Sequence, residues 1–183
     1  MANNLGIKPE EFCNIFHDQP QGIRINYYPP CPKADEVLGL SPHTDGSGLT
    51  ILLQVSNFQG LQIKNKEKWF PVKPLPGALI ANIGDIIEML SNGEYKSIEH
   101  RATINTKSEA TKSERLPVAT FHSPREDAVV GPLQGLVKKD DKHKTVDFRD
   151  YVKALVSSKL DGRRVGDSWK ASHYKLLKTE QVY

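Results

Sequence analysis

The chain has 183 residues, a length that suits one domain with a sizeable buried core. Its 25 basic and 22 acidic residues are spread along the sequence, which argues against nucleic acid as a partner, because nucleic-acid binding needs a clustered basic surface. With two cysteines, no apolar run of membrane-spanning length and no apolar core in residues 1–20, we expect a soluble cytoplasmic protein that has neither a disulfide framework nor a membrane partner.

The first predicted elements are a short helix and a strand. Residues 9–17 open with proline and two acids and carry apolar side chains at helical spacing, which predicts the helix. Gln21–Tyr28 alternates apolar and polar side chains, which is typical of a strand with one polar face. The prolines that follow end this strand, because proline cannot donate a hydrogen bond to a sheet.

Short apolar segments separated by turn residues continue to about residue 121. Leu49–Val55 is almost continuously apolar, which predicts a strand buried on both faces. Further strands are predicted at Gly60–Lys64, Trp69–Val72, Ala78–Asn82, His100–Asn105 and Arg115–Phe121. Many short strands with turns between them indicate an antiparallel sandwich or barrel.

Two helical signals lie in the second half of the chain. Asp85 precedes a short apolar run, and we interpret it as a helix N-cap in preference to a catalytic residue. Phe148–Leu160 has apolar side chains at helical spacing, which predicts a helix before Asp161. The predicted organisation is an N-terminal helical segment at 1–19, a mainly β domain at 20–160 and a C-terminal tail at 161–183.

One pair of segments carries a candidate metal site. On an extended strand residues two apart share a face, so His43 and Asp45 could bind one ion together. His100 lies far enough along the chain for several strands to run out and return before it. Two imidazoles and one carboxylate are the ligand set of non-haem Fe(II) oxygenases, and zinc is the rival ion. A His-x-Asp spacing alone is a weak signal, because it also occurs by chance.

Several motifs, in order along the chain, strengthen this hypothesis. They resemble the plant 2-oxoglutarate- and Fe(II)-dependent dioxygenases of specialised metabolism, above all the branch of alkaloid and flavonoid demethylases, norcoclaurine synthase-like proteins and senescence-related-gene proteins. The motifs are Asn26-Tyr-Tyr-Pro-Pro-Cys-Pro32, Leu38-Gly-Leu-Ser-Pro-His-Thr-Asp45, Leu61-Gln-Ile, Trp69-Phe-Pro-Val, Asn82-Ile-Gly-Asp85, Ser97-Ile-Glu-His-Arg101 and Phe121-His-Ser-Pro124.

The resemblance implies a double-stranded β-helix, or jelly roll, with Fe(II) held by His43, Asp45 and His100. It implies that Arg115 pairs with the distal carboxylate of 2-oxoglutarate, a task that suits a planar guanidinium. Tyr28 matches a second co-substrate contact, Asn26 a weaker one, and Phe121 an aromatic residue that stacks on the organic substrate. The alternatives are a surface ion pair for Arg115 and core packing for the two aromatic side chains.

The activity implied is hydroxylation, O-demethylation or desaturation of a small plant metabolite with 2-oxoglutarate and O2 as co-substrates and ascorbate as a candidate reductant. Two departures qualify this expectation. This chain has Pro117 where the family's Arg-x-Ser motif has its serine. One hydroxyl contact, worth about 0.5–1.5 kcal/mol, is therefore missing, and 2-oxoglutarate binding should be weaker. Family members also carry a long region before the first tyrosine motif, and we expect its absence to expose apolar surface and cause self-association.

Two other functions are considered beside the oxygenase. The first is a truncated, catalytically impaired jelly roll that binds a metal or a small molecule without turnover, and Pro117 is the feature that motivates it. The second is a zinc hydrolase. It is the weakest, because the sequence has no His-Glu-x-x-His motif to supply a general base.

Overall fold

The structure is a computed structural model that describes residues 1–29, 31–55, 59–104, 116–137 and 144–157. Several sequence predictions fall outside these ranges. They are Arg115 and its co-substrate role, the end of the predicted strand at Asn105, the last three residues of the predicted C-terminal helix and the tail at 161–183.

Strands dominate the described chain, as the spacing of apolar segments predicts. The ten strands are β1 (Gln21–Ile25), β2 (Leu38–His43), β3 (Leu49–Gln54), β4 (Leu61–Asn65), β5 (Lys68–Pro71), β6 (Leu79–Ile83), β7 (His100–Thr103), β8 (Pro117–His122), β9 (Val129–Val130) and β10 (Val146–Asp147). The predicted strands are therefore found, with ends that differ by a few residues from those expected.

Eight of these strands form two antiparallel sheets. The first sheet has the order β1-β8-β3-β6 and the second has the order β2-β7-β4-β5, while β9 and β10 form a separate pair. Except for the consecutive strands β4 and β5, neighbouring strands within each sheet are far apart in sequence, which is the arrangement of a jelly roll. The mainly β, jelly-roll architecture expected from the sequence is confirmed.

The helices are short. They are α1 (Ala2–Leu5), α2 (Pro9–Cys13), α3 (Asp85–Leu90) and α4 (Phe148–Ser157), and a 3-10 turn spans Gln134–Leu136. The predicted helix at 9–17 is thus found but ends at Cys13, and α1 was not predicted from the sequence.

The buried core gathers around α3, whose six residues are all buried. Tyr151 of α4 and Val130 of β9 are fully buried against the same cluster. Gly84 precedes α3 at a close approach of two backbones, because a side chain there would collide with the carbonyl oxygen of Ser47. Glycine at this position therefore lets α3 lie directly beside the loop that follows β2.

The sequence prediction for Leu49–Val55 is wrong in one respect. The segment forms β3, but Leu53 and Val55 are 40% and 63% exposed, so only one face is buried. The exposed side chains lie on the outer face of the first sheet, which no described element covers. An apolar run alone does not distinguish a strand buried on both faces from a strand with one uncovered apolar face.

Candidate metal centre

A cavity of about 660 Å³ lies between the two four-stranded sheets. The inner faces of both sheets line it, and α4 closes one side with apolar side chains. On the first sheet the inner residues pair across β3 and β8, with Thr50 opposite Phe121 and Leu52 opposite Ala119. On β1 the side chain of Arg24 faces this cavity, as does Asn26 just after the strand, whereas Ile23 and Ile25 are exposed on the opposite face.

The three predicted metal ligands meet at this cavity. His43 ends β2 and His100 begins β7, and the two are directly opposite each other in the ladder. Asp45 lies just beyond β2, not on the strand as predicted, yet its Oδ1 is 3.8 Å from Nε2 of His43 and 3.6 Å from Nε2 of His100. All three ligand atoms lie within 4.8 Å of one another.

Backbone carbonyls orient both imidazoles. Nδ1 of His43 lies 2.8 Å from the carbonyl oxygen of Ser41, and Nδ1 of His100 lies 3.0 Å from that of Ile98. A carbonyl oxygen only accepts, so Nδ1 must carry the ring proton and donate it in each case. In the neutral form of each ring, Nε2 then keeps a free lone pair close to the carboxylate of Asp45, as metal binding requires.

The carboxylate of Asp45 is held by two side chains that the sequence analysis missed. Its Oδ2 accepts hydrogen bonds from Oγ1 of Thr50 at 2.6 Å and from Nδ2 of Asn82 at 2.8 Å. These bonds leave Oδ1 facing the two imidazoles. A weak signal existed for both donors, because Thr50 is a polar residue within an apolar run and Asn82 begins one of the family-like motifs.

The electrostatics of the site favour a neutral imidazole. Burial lowers the pKa of His43 below its ordinary value, and the adjacent ring of His100 acts in the same direction. The hydrogen bond to the Ser41 carbonyl and the charge of Asp45 partly oppose this shift. Only the neutral ring can bind a metal. Because the pKa of His43 is lowered, this ring stays neutral, and able to bind a cation, at lower pH than an exposed histidine does.

The interpretation of Asp85 as an N-cap is wrong. Gly84 occupies the N-cap position of α3, and no side chain caps the helix. The buried carboxylate of Asp85 instead accepts hydrogen bonds from Oγ1 of Thr44 at 3.1 Å and from the hydroxyl of Tyr151 at 3.3 Å. Burial, and then the charge of Asp85, raise the pKa of Tyr151 well above its ordinary value, so this phenol remains a donor. Asp85 thus holds Thr44, which lies between the predicted ligands His43 and Asp45.

The same helix also supports the third ligand. Glu88 of α3 is buried, and its Oε2 accepts a hydrogen bond of 2.7 Å from the backbone N–H of Ser97, three residues before His100. The backbone N–H of Asp85 donates to the carbonyl oxygen of Asp45 at 2.8 Å. One short buried helix therefore contacts both segments that carry the ligands.

The donor set fits iron of the 2-oxoglutarate-dependent type. Two imidazole nitrogens and one carboxylate oxygen lie within 4.8 Å of one another, and the three residues that carry them line the cavity. Among the described residues no other group of three histidine, cysteine or acidic side chains comes together in this way. A structural zinc site would need a fourth ligand to close a tetrahedron, which this cluster does not contain.

The other predicted site residues divide into two groups. Asn26, Tyr28, Phe121 and Pro117 line the cavity, and the ring of Tyr28 packs against the backbone of Gly39, where a side chain would collide with it. Arg115 lies outside the described residues. A further cavity residue, which the sequence analysis did not single out, is Arg24 on the inner face of β1.

Comparison with known proteins identifies relatives of this arrangement. The chain is 48% identical over 164 residues to 2-oxoglutarate-dependent dioxygenase 11 of Oryza sativa subsp. japonica, a match that covers 89% of this chain and 44% of that protein. It is 47% identical over 152 residues to codeine O-demethylase of Papaver somniferum, covering 82% of this chain and 41% of that protein. The chain therefore spans less than half of the length of these two relatives.

Solved structures agree with the fold. The crystal structure of JOX2 in complex with 2OG, Fe and JA superposes with a TM-score of 0.82 at 37% identity, over 93% of this chain and 50% of that one. The family profile described as the 2OG-Fe(II) oxygenase superfamily matches residues 20–124. Because this profile spans more than half of the sequence and contains all three residues that converge at the cavity, the chain belongs to the 2OG-Fe(II) oxygenase superfamily.

Proposed function

We propose that this chain is a 2-oxoglutarate- and Fe(II)-dependent oxygenase that hydroxylates, O-demethylates or desaturates a plant specialised metabolite. The observation that carries the proposal is the convergence of two imidazoles and one carboxylate at a cavity, each oriented by its own hydrogen bonds. Relatives named for O-demethylation, among them codeine O-demethylase and the flavonoid 7-O-demethylase of Ocimum basilicum, support the substrate class.

In this proposal the residues have separate tasks. His43, Asp45 and His100 hold Fe(II), while Arg115, Tyr28 and Asn26 bind 2-oxoglutarate. When bound, the iron supplies the redox chemistry that couples decarboxylation of 2-oxoglutarate to oxidation of the substrate. One atom of O2 would enter succinate, with release of CO2. The other would enter the substrate in hydroxylation and O-demethylation, the latter releasing formaldehyde, or would leave as water in desaturation. Ascorbate is the reductant that would keep the metal in its ferrous state between cycles.

The cavity supports a small organic substrate. Its volume of about 660 Å³ lies within the range of roughly 300–1,000 Å³ that small-molecule sites occupy. Apolar side chains from both sheets and α4 line it, and Phe121 offers an aromatic face to a ring of the substrate. The apolar residues larger than alanine and proline are Leu40, Leu52, Leu61, Phe121, Phe148, Val152, Leu155 and Val156.

An anaerobic titration tests the function. Adding Fe(II) and then 2-oxoglutarate to the chain should produce a metal-to-ligand charge-transfer absorption band, because the co-substrate binds the metal directly. The loaded chain is then exposed to air and to a set of methylated alkaloids, flavonoids and coumarins. With a substrate among them, the chain should convert 2-oxoglutarate to succinate. A folded protein, shown by circular dichroism, that develops no band would favour the non-catalytic jelly roll. His100→Ala, which removes one of the proposed ligands, should develop no band, whereas the control His17→Ala, which removes an exposed histidine, should develop the band of the wild type.

We also propose that the chain self-associates through the outer face of its first sheet. Ile25, Val118, Leu53 and Leu79 form one row across all four strands of that face. Three of them are exposed, Ile25 by 63%, Leu53 by 40% and Leu79 by 61%, and Ile23 of the next row is 70% exposed. A continuous apolar face of this kind is unusual on a monomer, and a second copy would cover it.

Sedimentation velocity tests this second proposal. The wild-type chain should sediment as a dimer or larger species at micromolar concentration, and the double variant Ile25→Lys, Leu79→Lys should sediment as a monomer. Val129→Lys changes an equally exposed valine, 58% exposed on β9, and should leave the oligomer intact. A wild-type monomer over the same concentration range would contradict the proposal.

The cytoplasm is the compartment that we propose, on the basis of the low cysteine content. In the described part of the chain, no helix has both the length and the apolar character that crossing a bilayer would require.

A further inference from the structure

We propose that Gln54 donates a hydrogen bond to the distal carboxylate of 2-oxoglutarate, in place of the hydroxyl that this chain lacks at Pro117. This inference rests on the proposed function and assigns a role to a residue that neither the motifs nor the comparisons single out. Three observations carry it: the register of Gln54, the burial of its unpaired amide and the chemistry of its neighbour across the sheet.

The register places Gln54 on the cavity side. β3 and β8 pair with Thr50 opposite Phe121, Leu52 opposite Ala119, and Gln54 opposite Pro117. Directly paired residues of an antiparallel ladder project from the same face. The other five residues of this series all line the cavity, so Gln54 extends the same face at its Pro117 end.

The amide of Gln54 is buried without a partner. Its Nε2 and Oε1 are both inaccessible to solvent, and neither makes a hydrogen bond in the part of the chain that is described. Leaving such groups unpaired is costly, and buried amides in folded proteins are almost always satisfied by protein, water or ligand. Gln54 is not among the residues that line the cavity, so its side chain would have to turn toward Pro117 to meet a ligand there. A ligand oxygen atom at this end of the cavity would then satisfy the amide.

Pro117 explains why a donor is needed here. Proline has neither a hydroxyl nor a backbone N–H, and the carbonyl oxygen of Pro117 already accepts a hydrogen bond of 3.1 Å from the N–H of Asn26. The position therefore offers a carboxylate no donor at all. A primary amide has two N–H donors, and paired side chains start only about 4.5–5.5 Å apart at Cβ, so Gln54 can reach the space beside Pro117.

The amide is also a suitable group for the task. A carboxylate accepts hydrogen bonds only, and a bond from a neutral N–H to a charged oxygen is stronger than one between two neutral groups. The expected effect of removing such a bond is about a 10- to 100-fold loss of affinity. The glutamine would thereby offset the contact that Pro117 cannot make.

Calorimetric titration of 2-oxoglutarate into the Co(II)-loaded chain tests the inference, because it measures binding without turnover. Gln54→Leu should raise the Kd of 2-oxoglutarate by about 10- to 100-fold and leave the Co(II) affinity unchanged. Gln134→Leu, a change of the same chemistry at an exposed residue of the 3-10 turn, should leave both unchanged. Gln54→Met, a second unbranched variant without hydrogen-bonding groups, should match Gln54→Leu if leucine impairs folding.

The outcomes distinguish the two proposals. A wild-type chain that takes up Co(II) but binds no 2-oxoglutarate would overturn both the oxygenase function and the role of Gln54. Tight 2-oxoglutarate binding that persists in Gln54→Leu would overturn the role of Gln54 alone, and a water molecule would then be the partner of the amide.

A double-mutant cycle tests whether Gln54 replaces the missing hydroxyl. Pro117→Ser restores that hydroxyl and should tighten 2-oxoglutarate binding. In the Pro117→Ser background, the loss of 2-oxoglutarate affinity caused by Gln54→Leu should be smaller, because the serine hydroxyl still donates to the same carboxylate. An equal loss in both backgrounds would overturn the idea that the two positions share one function.

Discussion

Asp45→Ala is expected to remove divalent metal binding from this chain. The substitution deletes one of three ligands, and loss of a mere supporting contact already costs about 10- to 100-fold in metal affinity, so loss of the ligand should exceed about a hundredfold. It also takes the acceptor from Thr50 and Asn82, whose side chains both bond to this carboxylate. The free energy of unfolding should fall by about 1–3 kcal/mol, because one buried donor and one half-buried donor lose this acceptor.

Chelator competition against Co(II) measures the loss of affinity, and urea denaturation of the metal-free protein measures the loss of stability. Asp35→Ala is the control, since it removes an exposed aspartate from the loop before β2. The measurement would refute the ligand assignment if Asp45→Ala bound Co(II) as tightly as the control did. Full succinate production by Asp45→Ala would refute it in the same way.

Asp85→Ala is expected to weaken both the fold and the metal site, although Asp85 is no ligand. Its buried carboxylate joins Thr44, which lies between His43 and Asp45, to Tyr151 in the core. Removing this buried acceptor from the buried donor Tyr151 and the half-buried donor Thr44 should lower the free energy of unfolding by about 2–4 kcal/mol. Metal affinity should fall by about 10- to 100-fold, because the backbone that carries two of the ligands loses its support.

Two further substitutions separate these effects. Tyr151→Phe removes the donor on the core side and should lower stability while metal affinity stays near that of the wild type. Thr44→Val removes the donor next to the ligands and should lower metal affinity with the smaller loss of stability. Equal metal affinity in Thr44→Val and the wild type would show that Asp85 acts on the fold alone.

The expected losses of stability and of metal affinity follow from the position of α3 between the core and the segments that carry the predicted ligands. This helix is buried along its whole length and contacts the ligand segments through Asp85 and Glu88. These two acidic side chains therefore bond to the segments that carry the predicted ligands, and neither of them lines the cavity. Positioning of this kind is what keeps an open three-ligand site in shape without a fourth ligand to close it.

The sequence by itself determined the strand pattern and the candidate ligands. Short apolar segments, some of them alternating with polar residues, predicted most of the strands. They do so because successive side chains of a strand point to opposite faces, so the pattern of apolar residues follows the burial of each face. His43, Asp45 and His100 could be named because few side chains bind metals and their type and order along the chain matched a known family. That β1 ends before the prolines was predictable for a similarly local reason, because proline cannot donate a hydrogen bond to a sheet.

Only the tertiary structure decided what surrounds those ligands. Thr50 and Asn82 reach Asp45, and Asp85 reaches Thr44, from 5, 37 and 41 residues away, through strand pairing that no local pattern encodes. The exposure of Leu53 was decided in the same way, because periodicity separates two faces of a strand without showing what covers each. A residue's type limits which hydrogen bonds it can make, and the packing of distant segments selects the one that forms.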